Sequence, residues 1–452
     1  MKTLAQRLSD YASALQPRDL PAEVTRQAKR QIIDTIGCAI GGYTSEPSKI
    51  ARDLASAFGG GRQRATIIGS GQTTSPDLAA FVNGVMIRYL DYNDGYTSTV
   101  SGHPSDNISA VLSSAEAAGA DGERVIAATV LAYEMYCRFS DPVDILPFDH
   151  STLDLIASGL ASAYLFGLPP AQMVESLNLA ITPNLALHQP RIDVLSHWKA
   201  CAAANACRNA VFAAMLAARG LTGPRLVFEG AEGYFKVVSK GPFELAPFGG
   251  SGRPFKIMEC SIKRFPLGQY SQTVIQAVLE VRDKMPDARD IAEVHIRTMK
   301  KAITIMAGDP EKWRPTTRET ADHSMVYTTG VALMYGTVHQ RHFGEEYRNS
   351  AELLDLVSRV KVHVSEKANR RAPEAMLCDV EVITGSGKRY SSEVAYHKGH
   401  YKNPMSDSDV EAKFRSLAHE VLSPGQTDSL LDRLWHLEEV KDIGGILRLT
   451  VI

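Results

Sequence analysis

Residues 22–42, AEVTRQAKRQIIDTIGCAIGG, carry the pattern that decides the fold of the first half of the chain. Apolar residues recur there at three- and four-residue spacing, which places them along one face of an α-helix, and glycines close the segment. The same pattern recurs so often that we expect a large helical core. Further helices are predicted at 76–90, 107–118, 122–139, 153–166, 171–182 and 200–219.

The pattern changes near residue 255. Apolar and polar residues then alternate in four short segments, which is typical of half-buried β-strands, and GSGK between the last two predicts a hairpin turn. Charged amphipathic helices return after Pro404. The strands are predicted at 291–299, 359–365, 380–384 and 391–396, and the helices of this half at 269–284, 323–336, 408–421 and 426–439.

We therefore expect a mainly α protein of three segments: helical residues 1–261, an α+β domain at 262–403, and C-terminal helices at 404–452. A chain of 452 residues is too long for one simple core, which favours two domains. Hydrophobic residues make up 44% of the chain and charged residues 22%, which is the composition of an ordinary globular protein.

The charge balance argues against two classes of partner. The 49 Lys and Arg residues nearly cancel the 51 Asp and Glu residues, so nothing favours binding to nucleic acid or to an anionic membrane. The N-terminal sequence lacks the apolar core of a signal peptide, and the apolar run from Val125 to Tyr136 is shorter than the ~20 residues of a membrane span. The six cysteines form no CxxC pair, which favours a reducing compartment, and we expect a cytoplasmic protein.

The segment LDYNDGYTSTVSGHPSDN, residues 90–107, joins two predicted helices and concentrates polar side chains. The spacing of Asp91, Asn93 and Gly95 superficially resembles a calcium loop. The glycine and the glutamate that an EF-hand needs at its sixth and twelfth positions are missing, so we reject calcium.

His103 lies directly before the next predicted helix, whose N-terminal N–H groups favour an anion such as a substrate carboxylate. We expect Ser105 or Asp106 to cap that helix. Nearby carboxylates should favour the charged form of His103, whereas His150 has only Asp149 beside it. We therefore expect the two histidines to have opposite protonation states.

Basic residues in apolar surroundings are candidates for binding an acidic substrate. Lys199 and Arg208 lie in the segment SHWKACAAANACRNAVFAAMLA, where almost every neighbour is small and apolar. They are about half a helical turn out of phase, so both reach one site only if Lys199 precedes the helix proper. Lys263 precedes a Phe-Pro break, and Tyr327 lies near the start of a predicted helix.

Standard cofactor signatures are missing from the sequence. GGGRQR and GSGKRY match neither the dinucleotide-binding fingerprint nor the P-loop, and the HExxH and G-x-S-x-G motifs are absent. We expect neither a cofactor nor a metal.

Six segments, in order along nearly the whole chain, resemble the MmgE/PrpD family. They are LDYND…GHPSDN, DHSTLDLIASG, SHWKACAAANACRNAVFAA, LTGPRLVFEGAEGYF, KRFP…SQ and RETADHSMVY. The resemblance implies an all-helical domain completed by the C-terminal segment, a smaller α+β lid domain between, and a homodimer. It also implies an active site in the cleft between the two domains.

The resemblance further implies a small polycarboxylic acid as substrate, since the family includes 2-methylcitrate dehydratase, cis-aconitate decarboxylase and iminodisuccinate epimerase. Asn93 and Asp94, within the first motif, are candidates for substrate binding. The resemblance carries over a set of candidate site residues: Asp91, His103, His150, Lys199, Arg208, Lys263 and Tyr327.

Three positions depart from the family pattern. Gly95 stands where relatives often have Thr, and residues 267–270 hold no His although relatives commonly have one after the Phe-Pro. Arg208 occupies a position that is Lys in decarboxylase-like members. Tyr270 is a candidate to replace the hydrogen bond of the missing His.

Removing a proton next to a carboxylate requires a positioned base and fixed cations around the developing negative charge. We expect His103 and His150 to act as base and acid, Asp91 to orient or charge one of them, and Tyr327 to protonate a leaving hydroxyl or a carbanion. The expected cations are Lys199, Arg208 and Lys263.

The leading hypothesis is a hydro-lyase acting on a 2-methylcitrate-like hydroxy tricarboxylate. The same site would support epimerisation of an iminodisuccinate-like acid if the carbanion were reprotonated on its other face. It would support decarboxylation of a cis-aconitate-like acid if carbon dioxide left instead. A hypothesis of a different class is a non-catalytic scaffold that binds a ligand. We disfavour it because the acid–base and cationic positions are nearly all filled.

Overall fold

The computed structural model describes residues 2–59, 61–287 and 289–452. Helices predominate, and the largest sheet has four strands in the C-terminal half, so the prediction of a mainly α protein with an α+β C-terminal part is confirmed. The helices are α1 (Leu4–Ala14), α2 (Ala22–Gly42), α3 (Glu46–Ser56), α4 (Pro76–Tyr89), α5 (Ile108–Ala118), α6 (Gly122–Ser140), α7 (Thr152–Leu165), α8 (Pro170–Ile181), α9 (Trp198–Ala217), α10 (Tyr234–Val237), α11 (Gln272–Lys284), α12 (Lys300–Ala307), α13 (Arg318–Ala321), α14 (Met325–Tyr335), α15 (Glu345–Arg348), α16 (Ala351–Ser358), α17 (Glu366–Arg371), α18 (Asp407–Ala418), α19 (Pro424–Trp435) and α20 (Ile443–Arg448). The strands are β1 (Ala65–Thr66), β2 (Thr73–Thr74), β3 (Glu293–Thr298), β4 (Val360–Val364), β5 (Cys378–Ile383) and β6 (Arg389–Val394).

Helix α9 lies at the centre of the helical part, where it packs against α4, α7 and α8. Its small, apolar side chains let these helices approach closely. In the described part of the chain it is the one helix long and apolar enough to cross a bilayer, although 67% of its apolar window is buried inside the protein. The apolar run of membrane length is therefore α9 and not Val125–Tyr136. Its burial is typical of a core helix.

The last helices return to the helical part. Helix α18 packs against α2, and the Lys413 Nζ atom lies 2.6 Å from the Asp34 Oδ1 atom in a buried ion pair. Lys413 also donates hydrogen bonds to the carbonyl oxygens of Tyr92 and Lys263. The C-terminal helices thereby support the segment that follows α4.

The four-stranded sheet has the order β4-β3-β5-β6. Strand β3 pairs in parallel with β4 and antiparallel with β5, and β5 and β6 form an antiparallel hairpin. The four predicted strands and the hairpin turn at residues 385–388 are confirmed. Helix α11 packs against β5 and β6, which buries the apolar side of the alternating pattern.

The buried apolar side chains form two large clusters. The first takes residues from 4–262 and 405–447, and the second takes residues from 265–394. The chain passes from one cluster to the other near residue 263 and again between residues 394 and 405. The domain boundaries expected after residues 261 and 403 stay a prediction.

Candidate active site

A cavity of about 850 Å³ opens between the two clusters. The helical part contributes Arg88 and residues from 99–103, 144–150 and 188–192 to its lining, and the sheet-containing part contributes α12 and the segments before α11 and α14. The polar side chains at the base of the cavity include Arg88, His103, His150, Gln269, Tyr270 and His323.

Asp91, directly after α4, organises the floor beneath the cavity. Its φ of 48° lies in the left-handed region, which Asp tolerates better than most residues. Its Oδ1 atom accepts hydrogen bonds from Arg88 at 2.9 Å and from Lys263 at 2.5 Å, and its Oδ2 atom lies 3.0 Å from both Lys199 Nζ and His323 Nδ1. Burial alone would raise the pKa of Asp91, but Arg88, Lys199 and Lys263 hold it well below its usual range.

Two of the predicted cations, Lys199 and Lys263, lie beneath the cavity and do not line it. Lys199 lies in the first turn of α9 and bridges Asp91 of the helical part to Asp322 of the sheet-containing part. Lys263 is fully buried, and burial lowers its pKa to about 8 although Asp91 opposes the shift. Both lysines therefore neutralise buried carboxylates before any substrate binds.

The two predicted histidines line the cavity and are both neutral. The His103 Nε2 atom lies 2.9 Å from Arg88, which can only donate, so the His103 Nδ1–H group donates to the Asp94 carbonyl oxygen at 2.6 Å. Burial, followed by the charge of Arg88, lowers the pKa of His103 well below its usual range. Burial also lowers the pKa of His150 to about 3. The expectation of a charged His103 and of opposite protonation states is wrong, because burial and Arg88 outweigh the nearby carboxylates.

Asn93 and Asp94 hold the polar segment in shape from behind His103. Asn93 Nδ2 donates to Ser105 Oγ at 2.9 Å and to Asp106 Oδ1 at 2.8 Å, and Asp94 Oδ1 accepts from the Ser105 backbone N–H. Burial raises the pKa of Asp94 to about 6. The predicted cap is wrong, because Ser105 and Asp106 bind Asn93 and α5 begins after Asn107 without a side-chain cap.

His323 is a site residue that the sequence reasoning did not select. Its Nδ1–H group donates to Asp91 Oδ2 at 3.0 Å, and its Nε2 atom has no hydrogen-bond partner among the described residues. Burial and the charge of Lys199 lower its pKa well below the usual range. The RETADHSMVY motif contains both His323 and Tyr327, but only Tyr327 was predicted as a site residue.

Arg191 and Gln269 were also missed. Arg191 donates to both carboxylate oxygens of Asp149, at 2.9 and 3.1 Å, and to the Lys199 carbonyl oxygen, which fixes the guanidinium at the cavity wall. Gln269 is 7% exposed, and neither polar atom of its amide has a partner among the described residues. Its side chain lies over Gly95, where an added Cβ would come within 2.4 Å of Gln269 Oε1.

Tyr270 reaches the cavity, whereas two other predicted residues do not. The Tyr270 hydroxyl donates to Ser101 Oγ at 3.0 Å in the cavity lining. Arg208 is 40% exposed and its Nε atom lies 3.6 Å from Asp77, because α9 begins before Lys199 and the half-turn offset directs Arg208 elsewhere. The Tyr327 hydroxyl donates to the buried His342 carbonyl oxygen at 2.7 Å, inside the second cluster.

Two groups of described side chains bring three potential metal ligands within 4.8 Å of one another. Asp91, Asp322 and His323 form the first group, whose carboxylates already face lysine and arginine cations. Asp106, His150 and Asp154 form the second, where burial raises the pKa of Asp106 to about 7 and that of Asp154 well above its usual range. Burial therefore weakens the charge that this second group offers to a cation.

The comparisons with known proteins cover both parts of the chain. The human cis-aconitate decarboxylase is 24% identical over 98% of this chain and 93% of its own length. An alkylcitrate dehydratase from a fungal species is 25% identical over 90% of this chain and 86% of its own length. The 2-methylcitrate dehydratase of Escherichia coli is 29% identical over 58% of this chain and 57% of its own length. These relatives are dehydratases and decarboxylases, which supports an enzyme of the lyase type.

Two family models match the chain, and the boundary between them lies near residue 263, where the chain first passes from one apolar cluster to the other. The MmgE/PrpD N-terminal domain matches residues 6–246, within the helical part. The MmgE/PrpD C-terminal domain matches residues 265–437, which include the sheet and the cavity residues His323 and Gln269. The chain belongs to the MmgE/PrpD family.

Proposed function

We propose that the protein is a hydro-lyase that dehydrates a hydroxy polycarboxylate by removing a proton next to a carboxylate, without a metal or cofactor. The observation that carries this proposal is the pairing of His323 with Asp91 at the base of the cavity. A carboxylate that accepts the Nδ1–H of a histidine fixes the tautomer and leaves the Nε2 lone pair free to take a proton. His323 meets this condition.

The low pKa of His323 makes it a weak base before substrate binds, and the substrate itself changes this. Each substrate carboxylate that enters the cavity brings a negative charge near the imidazole, which raises its pKa toward the neutral range. The base is then strongest when an acid is bound. This dependence favours polycarboxylates over neutral substrates.

The groups that bind the carboxylates have to be separate from the base. Arg88 and Arg191 are held by Asp91 and Asp149, so the orientation of their free N–H groups is fixed before binding. The amide of Gln269 adds a neutral donor, and the hydroxyl oxygens of Ser101 and Tyr270 add polar contacts at the cavity wall. In this proposal His103 is a positioning residue, since both of its ring nitrogens bind Arg88 and Asp94.

A leaving hydroxyl group needs a proton, and His150 is the histidine best suited to supply it. Its Nδ1 atom lies 3.1 Å from the Tyr136 hydroxyl, and its ring centroid lies 5.5 Å from that of His103. As for His323, bound carboxylates raise the pKa of His150 and favour the protonated form that can act as an acid.

Decarboxylation is a second candidate reaction, and one observation favours it. The human cis-aconitate decarboxylase is similar to 98% of this chain, as the fungal alkylcitrate dehydratase is to 90%. Loss of carbon dioxide and removal of a proton both leave an electron pair on a carbon next to a carboxylate, so the same cations would stabilise either reaction.

The test is to incubate the enzyme with 2-methylcitrate, citrate and cis-aconitate while following the absorbance of a new conjugated double bond and the release of carbon dioxide. We expect dehydration that survives dialysis against a strong chelator. His323→Asn keeps a donor toward Asp91 and should lower turnover on the order of 10²-fold or more, because the base is lost. Arg208→Ala is the matched control and should keep wild-type kinetics; wild-type turnover by His323→Asn would contradict the proposal.

A further inference from the structure

Two buried aspartates, Asp106 and Asp154, lie beside His150. Asp106 lies just before α5, and Asp154 lies in the first turn of α7. One carboxylate oxygen of each aspartate and one ring nitrogen of His150 lie within 4.8 Å of one another. Asp106 is 2% exposed and Asp154 is fully buried, whereas His150 lines the cavity. His150 is therefore close both to the cavity and to this pair of carboxyl groups.

Each aspartate of the pair leaves one oxygen without a partner. Asn93 Nδ2 donates to Asp106 Oδ1 at 2.8 Å, and Asn107 Nδ2 donates to Asp154 Oδ1 at 2.7 Å. The Oδ2 atom of each carboxyl group is buried and has no hydrogen-bond partner among the described residues. An ionised carboxylate can only accept hydrogen bonds, so a buried oxygen without a donor is costly. A proton on one of the two carboxyl groups lowers that cost.

The charges around the pair cannot neutralise two carboxylates. Arg88 Nε lies 3.9 Å from Asp106 Oδ2, and Arg191 is bound to Asp149. Two like charges at this separation in a buried site cannot both be stable, so one carboxyl group keeps a proton. Burial accordingly raises the pKa of Asp106 to about 7 and that of Asp154 well above its usual range. The other titratable side chains nearby supply no cation: Asp94, Tyr136 and Cys207.

We propose that Asp106 and Asp154 hold one proton between them and pass it to His150 when the substrate binds. This inference rests on the proposed function, in which His150 is the acid. Burial keeps His150 neutral before the substrate binds, so the proton stays on the carboxyl pair. The carboxylates of the bound substrate favour the charged imidazole, and the proton then moves to its ring nitrogen. Both aspartates act through His150 and are positioning residues.

The protons balance over one turnover. His323 takes the proton from the substrate carbon, and the electron pair of that C–H bond forms the new double bond as the C–O bond breaks. The oxygen leaves with the electron pair of the C–O bond and takes the proton from His150, so water is released and His150 is neutral again. After the product leaves, His323 releases its proton to water and the carboxyl pair regains one from water.

Infrared spectroscopy of the folded protein detects the stored proton directly, because a protonated carboxyl group has a C=O stretching band that a carboxylate lacks. Near neutral pH, Asp154→Asn should lose one such band relative to the wild type. Succinate, a dicarboxylate with no hydroxyl group to lose, should remove the same band from the wild-type spectrum, because the proton moves to His150. A band that neither Asp154→Asn nor succinate removes would overturn the inference.

Turnover separates the supply of a proton from damage to the site. In Asp154→Asn, deuterium exchange next to the substrate carboxylate should stay near the wild-type rate because His323 is unchanged, whereas elimination should fall on the order of 10²-fold. Asp106→Asn keeps the oxygen that accepts from Asn93 and should show the same split. Asp53→Asn, exposed on α3, is the matched control and should behave as wild type. Equal losses of exchange and elimination in both pair variants, or elimination at the wild-type rate, would contradict the inference.

The inference and the proposed function can fail separately. If the wild type turns over no hydroxy polycarboxylate, the hydro-lyase proposal fails, and the infrared response to succinate decides whether the pair passes a proton to His150. Normal dehydration without that infrared response would contradict the proton-holding pair alone.

Discussion

Asp91 contacts several charged groups beneath the cavity. A substitution of Asp91 would therefore disturb all of these contacts at once. Its carboxylate faces Arg88, Lys199 and Lys263 and also accepts a hydrogen bond from the His323 Nδ1–H group. Removing one member of a buried ion pair leaves its partner uncompensated and costs about 3–5 kcal/mol. Lys199→Ala and Lys263→Ala should therefore lower the free energy of unfolding, which thermal or chemical denaturation measures.

Lys263 should control activity at alkaline pH. Because its pKa is about 8, the lysine loses its charge as the pH rises through that value and Asp91 then loses a counterion. We expect kcat/KM to fall on this alkaline side. In Lys263→Arg the guanidinium stays charged, so the fall should move to higher pH. Profiles of kcat/KM against pH for both enzymes, with thermal melts to verify folding, test this; identical alkaline limbs would assign the titration to another group.

Gly95 and Gln269 should act as a coupled pair. A Cβ at residue 95 would lie 2.4 Å from Gln269 Oε1, so Gly95→Ala must displace the amide from its place in the cavity lining. The backbone of Gly95 is outside the left-handed region, so alanine adds no backbone strain. We expect a higher KM for the substrate in Gly95→Ala, because one polar contact is worth about 0.5–1.5 kcal/mol.

A double-mutant cycle is the measurement for this pair. In a Gln269→Ala background, Gly95→Ala should have almost no further effect on KM, because the side chain that it displaces is already gone. Additive effects of the two substitutions would show that Gly95 acts through something other than Gln269.

At the scale of elements, helix α14 separates two neighbouring candidates. His323 precedes the helix and reaches Asp91, whereas Tyr327 lies one turn later and donates to His342. Tyr327→Phe should lower the free energy of unfolding by about 1 kcal/mol and leave kcat and KM unchanged. Tyr270→Phe is the matched substitution in the cavity and should raise KM. A lower kcat in Tyr327→Phe at unchanged stability would restore Tyr327 to the chemistry.

The elements differ in how well the sequence predicts them. Helix α2 matches the predicted range 22–42, because a long helix with a buried face repeats its apolar spacing many times. Helix α3 was not predicted; it is short, and Ile50 and Leu54 on it are exposed, so its apolar residues do not mark a core face. The strands of the sheet were predicted because β3 and β5 alternate buried and half-buried residues strictly.

The candidate site was harder to predict than the elements. Helical phase indicated that Lys199 and Arg208 point apart, but the position of the first turn of α9 decided which of them contacts Asp91. The pairing of His323 with Asp91 joins residues 232 positions apart. Such contacts depend on how the two apolar clusters pack together, and local sequence patterns carry no information about that.

At the scale of the whole molecule, the cavity lies where the two parts of the chain share charges. Lys199 joins Asp91 to Asp322, and Lys263 lies where the chain first passes from one cluster to the other. The cations and the carboxylates come from both parts, so neither part alone contains a complete site. We therefore propose that the reaction takes place at the junction of the two parts.

We propose that the site at this junction removes a proton next to a substrate carboxylate. The most direct measurement is nuclear magnetic resonance of hydroxy polycarboxylates incubated with the enzyme in deuterated water. We expect the wild-type enzyme to form the unsaturated acid and the recovered hydroxy acid to carry deuterium next to the carboxylate. His323→Asn should lose both, and Arg208→Ala should keep both. Deuterium exchange at the wild-type rate in His323→Asn, or exchange without any elimination in the wild type, would contradict the proposal.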